Sequence, residues 1–159
     1  MKNEIILFEN QDVKLEVNMK DETVWLSLEQ MAELFSRDRT VIDRHINNIF
    51  KDNELDKNEV CAKFAHTTKH GAISDKSQTR ELIYYNLDMI ISLGYRIKSI
   101  IATRFRQWAT QRLKEYMIKG FTIDDERLKG NGGEIYRKEL LDRIRDISGI
   151  SFAVMERYI

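Results

Sequence analysis

The sequence predicts an α+β protein in which small N-terminal antiparallel strands precede several helices. Residues 13–17 alternate apolar and polar side chains, which is typical of a half-buried strand. From Ser27 onward, apolar residues recur at helical spacing. The chain of 159 residues contains no proline, so the strongest breaker of helices is missing. At this length it can bury a core of its own.

We expect three short antiparallel strands at residues 4–8, 13–17 and 23–26, separated by polar turns. A helix should then begin at Ser27, because Ser27 and Gln30 have the spacing of a capping box. The apolar residues expected on this helix are Leu28, Met31, Ala32, Leu34 and Phe35. A second helix follows Asp38. The residues that it should bury are Ile42, Ile46, Ile49 and Phe50.

The rest of the chain predicts a hairpin and further helices. Residues 61–67 and 81–85 are apolar or aromatic stretches around a polar loop, which indicates a long-looped hairpin. Asn86 can cap a helix that we expect to end at Gly94. A longer helix should run from Ser99 to Gly120, with Trp108 and Tyr116 among its core residues, and an amphipathic helix should cover residues 134–147.

Composition places the protein in a reducing compartment. The single cysteine, Cys61, excludes an intramolecular disulfide framework. The N-terminus has too short an apolar stretch for a signal peptide, and no apolar run approaches the roughly 18 residues of a membrane span. We therefore expect a cytoplasmic protein with no membrane partner.

Charge is unevenly distributed although the net charge is zero. Residues 1–35 carry −5, residues 36–51 carry +2, and residues 94–120 carry +6. Because local potential attracts a phosphate backbone, this distribution favours a basic face on a neutral body. A solvated helix face would show the same basic residues.

Residues 27–50 match the requirements of a helix-turn-helix motif. Such a motif needs a small residue in its first helix, a tight turn, and an apolar anchor in its second helix. Ala32, Ser36 and Ile42 stand at those positions, with Ser36 where glycine is commonest. Arg37 departs from the pattern, since an apolar residue is frequent there.

The outward side of the second helix carries residue types that commonly contact DNA. Arginine contacts guanine, asparagine contacts adenine, and threonine contacts a thymine methyl group or a phosphate. The expected base readers are Arg39, Thr40, Arg44 and Asn47. The expected phosphate contacts are Arg37, Lys51, Arg104 and Arg106, with the loop at residues 69–80 acting as a wing. Alternatively, the arginines pair with Asp38 and Asp43 on a solvated helix.

Other chemistry lacks support in the sequence. Cys61, His66 and His70 could suggest zinc, but a structural site normally needs a fourth ligand. No orienting group or oxyanion nest accompanies the Cys/His pair. We therefore expect no catalytic residue, no metal and no cofactor, and a protein that is not an enzyme.

The sequence resembles the RhuM family of virulence proteins over nearly the whole chain. The segments that carry the resemblance are WLSLEQMAELF (25–35), RDRTVI (37–42), HI (45–46), NIF (48–50), YNLDMIIS (85–92), GYR (94–96), FRQWAT (105–110), LKEY (113–116), KGF (119–121) and DDERLK (124–129). The family is similar, more distantly, to the DNA-binding N-terminal domains of BRO and phage antirepressor proteins. The resemblance implies a bacterial prophage or pathogenicity-island setting and members that extend beyond this length.

Together these observations predict a winged-helix-like domain at residues 1–121, a linker at 122–133 and a C-terminal amphipathic helix at 134–159 that mediates dimerisation. The leading hypothesis is a transcriptional regulator that binds double-stranded DNA. The alternative is an antirepressor-like module that binds a repressor protein and has little affinity for DNA.

Overall fold

A computed structural model describes residues 18–20, 23–69, 77–130 and 133–149. These residues form four strands and seven helices. The strands are β1 (Asn18–Lys20), β2 (Thr23–Ser27), β3 (Cys61–Lys69) and β4 (Ser77–Tyr85). The helices are α1 (Leu28–Phe35), α2 (Arg39–Lys51), α3 (Lys57–Val60), α4 (Leu87–Arg96), α5 (Ile100–Lys119), α6 (Asp125–Lys129) and α7 (Glu134–Ser148). The predicted α+β class is confirmed.

The strands form one antiparallel sheet in the order β1-β2-β4-β3. The β3–β4 hairpin is in continuous register from Cys61 opposite Tyr85 to Lys69 opposite Ser77. The predicted hairpin is thus confirmed, and its strands extend beyond the predicted 61–67 and 81–85. The strand predicted at 23–26 is β2. The strands predicted at 4–8 and 13–17 lie outside the described residues. Lys20, which lies between the strands predicted at 13–17 and 23–26, ends β1 and pairs with Thr23.

The core lies between one face of the sheet and helices α1, α2 and α4. Leu26 of β2 is fully buried, and Tyr85 beside it in β4 is also buried. The buried residues of the three helices are Met31, Leu34, Phe35, Ile42, Ile46, Ile49, Met89, Ile90, Leu93 and Gly94. The predicted apolar faces of the first two helices are thus confirmed, with Leu28, Ala32 and Phe50 partly buried at the edge.

The prediction that Gly94 ends its helix is wrong. Asn86 does cap α4, since its side chain accepts a hydrogen bond from the Met89 amide, but the helix continues to Arg96. A Cβ atom at Gly94 would lie 2.4 Å from Cε1 of Phe105. The glycine is therefore needed for the close approach of an aromatic ring rather than for a helix end.

Helix α5 begins and ends where the sequence indicated. The Ser99 hydroxyl accepts a hydrogen bond from the Ala102 amide, and Gly120 follows the helix with a φ of 81°. Its predicted apolar side is confirmed only in part, since Ile101, Phe105 and Ala109 are half-buried, whereas Leu113 is exposed. Trp108 is 45% exposed and Tyr116 is 55% exposed, so neither side chain belongs to a closed core.

The chain divides into two compact units, Met1–Gln111 and Arg112–Ile159. All sixteen buried hydrophobic residues of the described ranges belong to the first unit. In the second unit, α7 confirms the predicted amphipathic helix, and α6 occupies part of the segment predicted as a linker. The predicted domain boundaries remain a prediction.

Candidate nucleic-acid interface

Helices α1 and α2 are joined by only three residues. The Ser27 hydroxyl and the Gln30 side chain form the predicted capping box at the start of α1, with hydrogen bonds of 3.2 and 2.9 Å. At the other end, Ser36 adopts a left-handed conformation with a φ of 51°. This conformation explains why glycine would be favoured there. The chain then enters α2 at Asp38.

Arg37 holds the turn between these helices in place. Its guanidinium donates a hydrogen bond to the backbone carbonyl of Lys98, in the segment between α4 and α5. An apolar turn residue would contact the core, whereas Arg37 bonds to a neighbouring backbone group. The predicted phosphate contact by Arg37 is untested, and this bond gives the side chain a positioning role as well.

The outward side of α2 is polar along its whole length. It is opposite the three buried isoleucines Ile42, Ile46 and Ile49. The exposed residues of the helix are Arg39, Thr40, Asp43, Arg44, Asn47, Asn48 and Lys51. The structure therefore brings the four predicted base readers and Lys51 together on one helix.

Some of these side chains have partners within the protein. Arg39 forms an ion pair of 3.1 Å with Glu29 in the first turn of α1. The Asn47 amide donates a hydrogen bond of 3.2 Å to the Asp43 carboxylate, one helical turn earlier. Arg44 and Lys51 form no ion pair with any residue in the described part of the chain, so their charges face solvent.

His45 lies between the exposed and buried sides of α2. Partial burial is the main cause that lowers the pKa of its imidazole below the ordinary value of 6.5, and the positive charges of Arg44 and Arg96 add to the effect. The imidazole is therefore neutral at pH 7. A neutral imidazole donates a weaker hydrogen bond to a phosphate than a charged one does.

The other two predicted phosphate contacts, Arg104 and Arg106, lie on α5 and not on α2. The Arg106 guanidinium donates hydrogen bonds of 2.9 Å to the backbone carbonyls of Gly94 and Ile97, at the end of α4. It also donates to the Thr103 hydroxyl at 3.1 Å. This arginine thus closes the connection between α4 and α5. Arg104 is exposed, and it too takes part in an interaction within the protein.

Arg96 forms an ion cluster that the sequence did not reveal. Its guanidinium lies 2.9 Å from the Asp52 carboxylate and 2.6 Å from the Glu54 carboxylate, immediately after α2. A hydrogen bond from Arg96 is the main cause that lowers the pKa of Glu54. Because these residues are more than forty positions apart, only the tertiary fold shows that they meet.

The hairpin presents a smaller set of charges. Arg80 is exposed, and Lys63 lies 3.8 Å from Glu81 across the two strands. Residues 70–76, which form most of the predicted wing, lie outside the described residues. The wing prediction therefore stays a prediction.

Three further features concern metal binding, thiol reactivity and membrane insertion. No cluster of three or more His, Cys, Asp or Glu residues suited to a metal occurs in the ranges that the structure describes. Burial raises the pKa of the Cys61 thiol, so this group is protonated at neutral pH. Among the described helices, none has both the length and the apolar character to cross a membrane.

The model of the virulence protein RhuM family matches residues 59–154, which include the hairpin and helices α4 to α7. The matched range does not include α1 and α2. No curated protein and no solved structure matches the chain.

Proposed function

The chain belongs to the virulence protein RhuM family, and we propose that it binds double-stranded DNA through α2. Family membership marks it as a virulence-associated protein. The proposed role is that of a transcriptional regulator in the bacterial cytoplasm, encoded in a phage or other mobile element. The proposal is one of binding and includes no catalytic step.

The main support for this proposal is the arrangement of side chains on α2. The helix buries three isoleucines on one side and exposes a row of arginine, threonine and asparagine side chains on the other. A recognition helix must be held by its apolar side so that its polar side can enter the major groove. A helix of 13 residues extends about 20 Å, enough to contact several base pairs.

The geometry before α2 supports the same function. A helix-turn-helix motif joins two helices by a short turn that often contains glycine, and its second helix meets the bases with its N-terminal residues. Here the turn has three residues, Ser36 takes the left-handed conformation, and Arg39 and Thr40 stand in the first turn of α2. The adjoining β3–β4 hairpin is consistent with a winged variant of the motif.

Four of the exposed side chains have a defined role in the proposal. Arg44 contacts a guanine edge, Asn47 contacts an adenine edge, and Lys51 contacts a phosphate. The Arg39–Glu29 pair does not prevent a base contact by Arg39, because an exposed ion pair contributes only about 0.2–1 kcal/mol. DNA can therefore replace Glu29 as the partner of Arg39.

The experiment is a selection of preferred duplexes from a random pool. The wild-type protein should enrich a defined sequence. Substituting Arg39, Arg44 and Asn47 together by alanine should abolish that enrichment while leaving the melting temperature nearly unchanged, because all three side chains are exposed.

A matched control replaces two exposed bases of α7, K138A and R143A, and should enrich the same sequence as the wild type. If the triple variant keeps the wild-type sequence preference, α2 does not read DNA. If the triple variant unfolds, its side chains are structural and the proposal fails.

A second candidate is supported by the pairing of the basic residues in 94–120. Of these seven bases, several have internal partners: Arg96, Arg106, Arg112 and Lys119. Such pairing weakens a positive surface and favours an antirepressor-like module that binds a repressor protein. That module would show no DNA retention even at low salt.

A further inference from the structure

Asp43 is an exposed acid on the helix that is proposed to read DNA. It lies next to Arg44 and one helical turn before Asn47, in the first half of α2. Within the described ranges its carboxylate forms no ion pair with a basic side chain, and it accepts a hydrogen bond of 3.2 Å from the Asn47 amide. The arginine pairing that would explain Asp43 on a solvated helix is therefore not seen among these residues.

The stability of α2 gives little reason for an acid at this position. A carboxylate stabilises a helix from its first turn, at the positive end of the helix dipole, and Asp43 lies beyond that turn. Aspartate also has a lower helix propensity than most residues. Its bond to Asn47 is exposed, and such a pair one turn apart stabilises a helix only weakly. What the surface binds is therefore the better explanation for this side chain.

A carboxylate on a DNA-binding surface is favourable where it meets a hydrogen-bond donor of a base. Phosphate groups carry the same sign of charge and repel it. In the major groove the donors are the N4 amino group of cytosine and the N6 amino group of adenine. Adenine places its N7 acceptor beside the amino group, which repels a carboxylate, whereas cytosine presents only the donor. An aspartate is therefore suited to cytosine.

The bond between Asp43 and Asn47 places two base-reading groups side by side. Asn47 uses one amide hydrogen for this bond, so its oxygen and its other hydrogen remain for the N6 and N7 atoms of an adenine. The Oδ1 atom of Asp43 remains for a second base. The bonded atoms are 3.2 Å apart, and consecutive bases of one DNA strand rise by about 3.4 Å. The spacing of the pair thus matches two consecutive bases.

We propose that Asp43 is a specificity-determining residue, which accepts a hydrogen bond from the N4 amino group of a cytosine next to the adenine contacted by Asn47. The inference rests on the proposed DNA contact of α2 and specifies the preferred site, in which a cytosine and an adenine are consecutive. Asp43 also acts against other sequences, because a base without a donor at this place leaves the carboxylate facing an acceptor.

Selection of duplexes from a random pool tests the proposal with variants of this exposed side chain. The wild type should enrich a site in which cytosine and adenine are consecutive. D43N keeps the shape of the side chain and removes its charge, and it should enrich adenine in place of that cytosine, because asparagine reads adenine. D43A should show no preference at this position. The control E33Q removes an exposed acid from α1 and should enrich the wild-type site.

A second measurement replaces the cytosine of the selected duplex by 2-pyrimidinone, which lacks the amino group. In anisotropy titrations the wild type should bind this duplex about tenfold more weakly, whereas D43A should bind both duplexes equally. An equal loss in both proteins, a wild-type site without consecutive cytosine and adenine, or an unchanged site for D43N and D43A would overturn this inference alone. A wild type that enriches no sequence would overturn the proposed function as well.

Discussion

Helices α2 and α7 are similar in length and pattern but differ in what covers their isoleucines. Helix α2 has 13 residues and α7 has 15, and each carries an apolar stripe beside a charged side. The isoleucines of α2 are buried, whereas Ile144 and Ile147 of α7 are exposed. The exposed side of α2 is thus polar, whereas α7 exposes part of its apolar side as well.

The difference has a physical cause in the neighbours of each helix. Helix α2 packs against α1 and α4, which add their own apolar residues to a common core. Helix α7 packs against α6, a helix of five residues with no buried side chain. Helix α2 is therefore covered by other helices of its own unit, whereas α7 has little apolar cover from the described residues of the second unit.

The largest expected effect comes from an isoleucine on the covered side. Truncating Ile42 to alanine should lower the free energy of unfolding by about 2–5 kcal/mol, because it leaves a cavity in the core. The same change at Ile147, on the apolar stripe of α7, should alter that free energy by less than about 0.5 kcal/mol, because the side chain is 84% exposed. Urea denaturation measures both values. Similar losses at the two positions would remove the distinction between the helices.

A smaller effect is expected from the basic residues that follow α4. Replacing Arg106 by alanine should cost about 1–3 kcal/mol of stability, since two backbone carbonyls at the end of α4 lose a charged donor. K98A removes the same charge from an exposed side chain and should be nearly neutral, because the Lys98 carbonyl that accepts from Arg37 remains. If R106A keeps full stability but loses DNA affinity, Arg106 is a phosphate contact after all.

Local signals in the sequence predicted much of the fold. The capping box at Ser27, the cap at Asn86 and the periodic isoleucines of α2 each depend on residues a few positions apart. Gly94 was misinterpreted because its role is set by Phe105, which is distant enough that only the tertiary packing reveals the contact. Trp108 was predicted in the core for a related reason: helical spacing identifies the apolar side of a helix but not what covers that side.

The sequence predicted only part of the candidate site, because local spacing shows which side chains face outward but not what they contact. Helical geometry places Arg39, Arg44 and Asn47 outward once the isoleucines are known to be inward. It does not show which charges are already paired. The Arg39–Glu29 pair, the Arg96 cluster and the carbonyl bonds of Arg106 all join separate elements, so a count of charges along the sequence overstates the free basic surface.

The smallest expected effect concerns His45 at the edge of the α2 surface. Because the pKa of His45 is lowered in the folded protein, the unfolded chain binds the proton more readily. Its contribution to stability is thus present above pH 6.5 and is lost as the pH falls below that value. H45Q should show a smaller loss of unfolding free energy between pH 7.5 and pH 5.5 than the wild type. An identical loss in both proteins would exclude His45 as the cause.

The salt dependence of DNA binding tests the account most directly. Each phosphate contact releases condensed counterions, so about three to five contacts predict a log–log slope of about −3 to −4.5 in fluorescence-anisotropy titrations. K51A should flatten the slope by about one unit, whereas K138A, the same change on α7, should leave it unchanged. A slope near zero, or no binding to duplex DNA of varied sequence at low salt, would contradict the assignment of α2 as a DNA-binding helix.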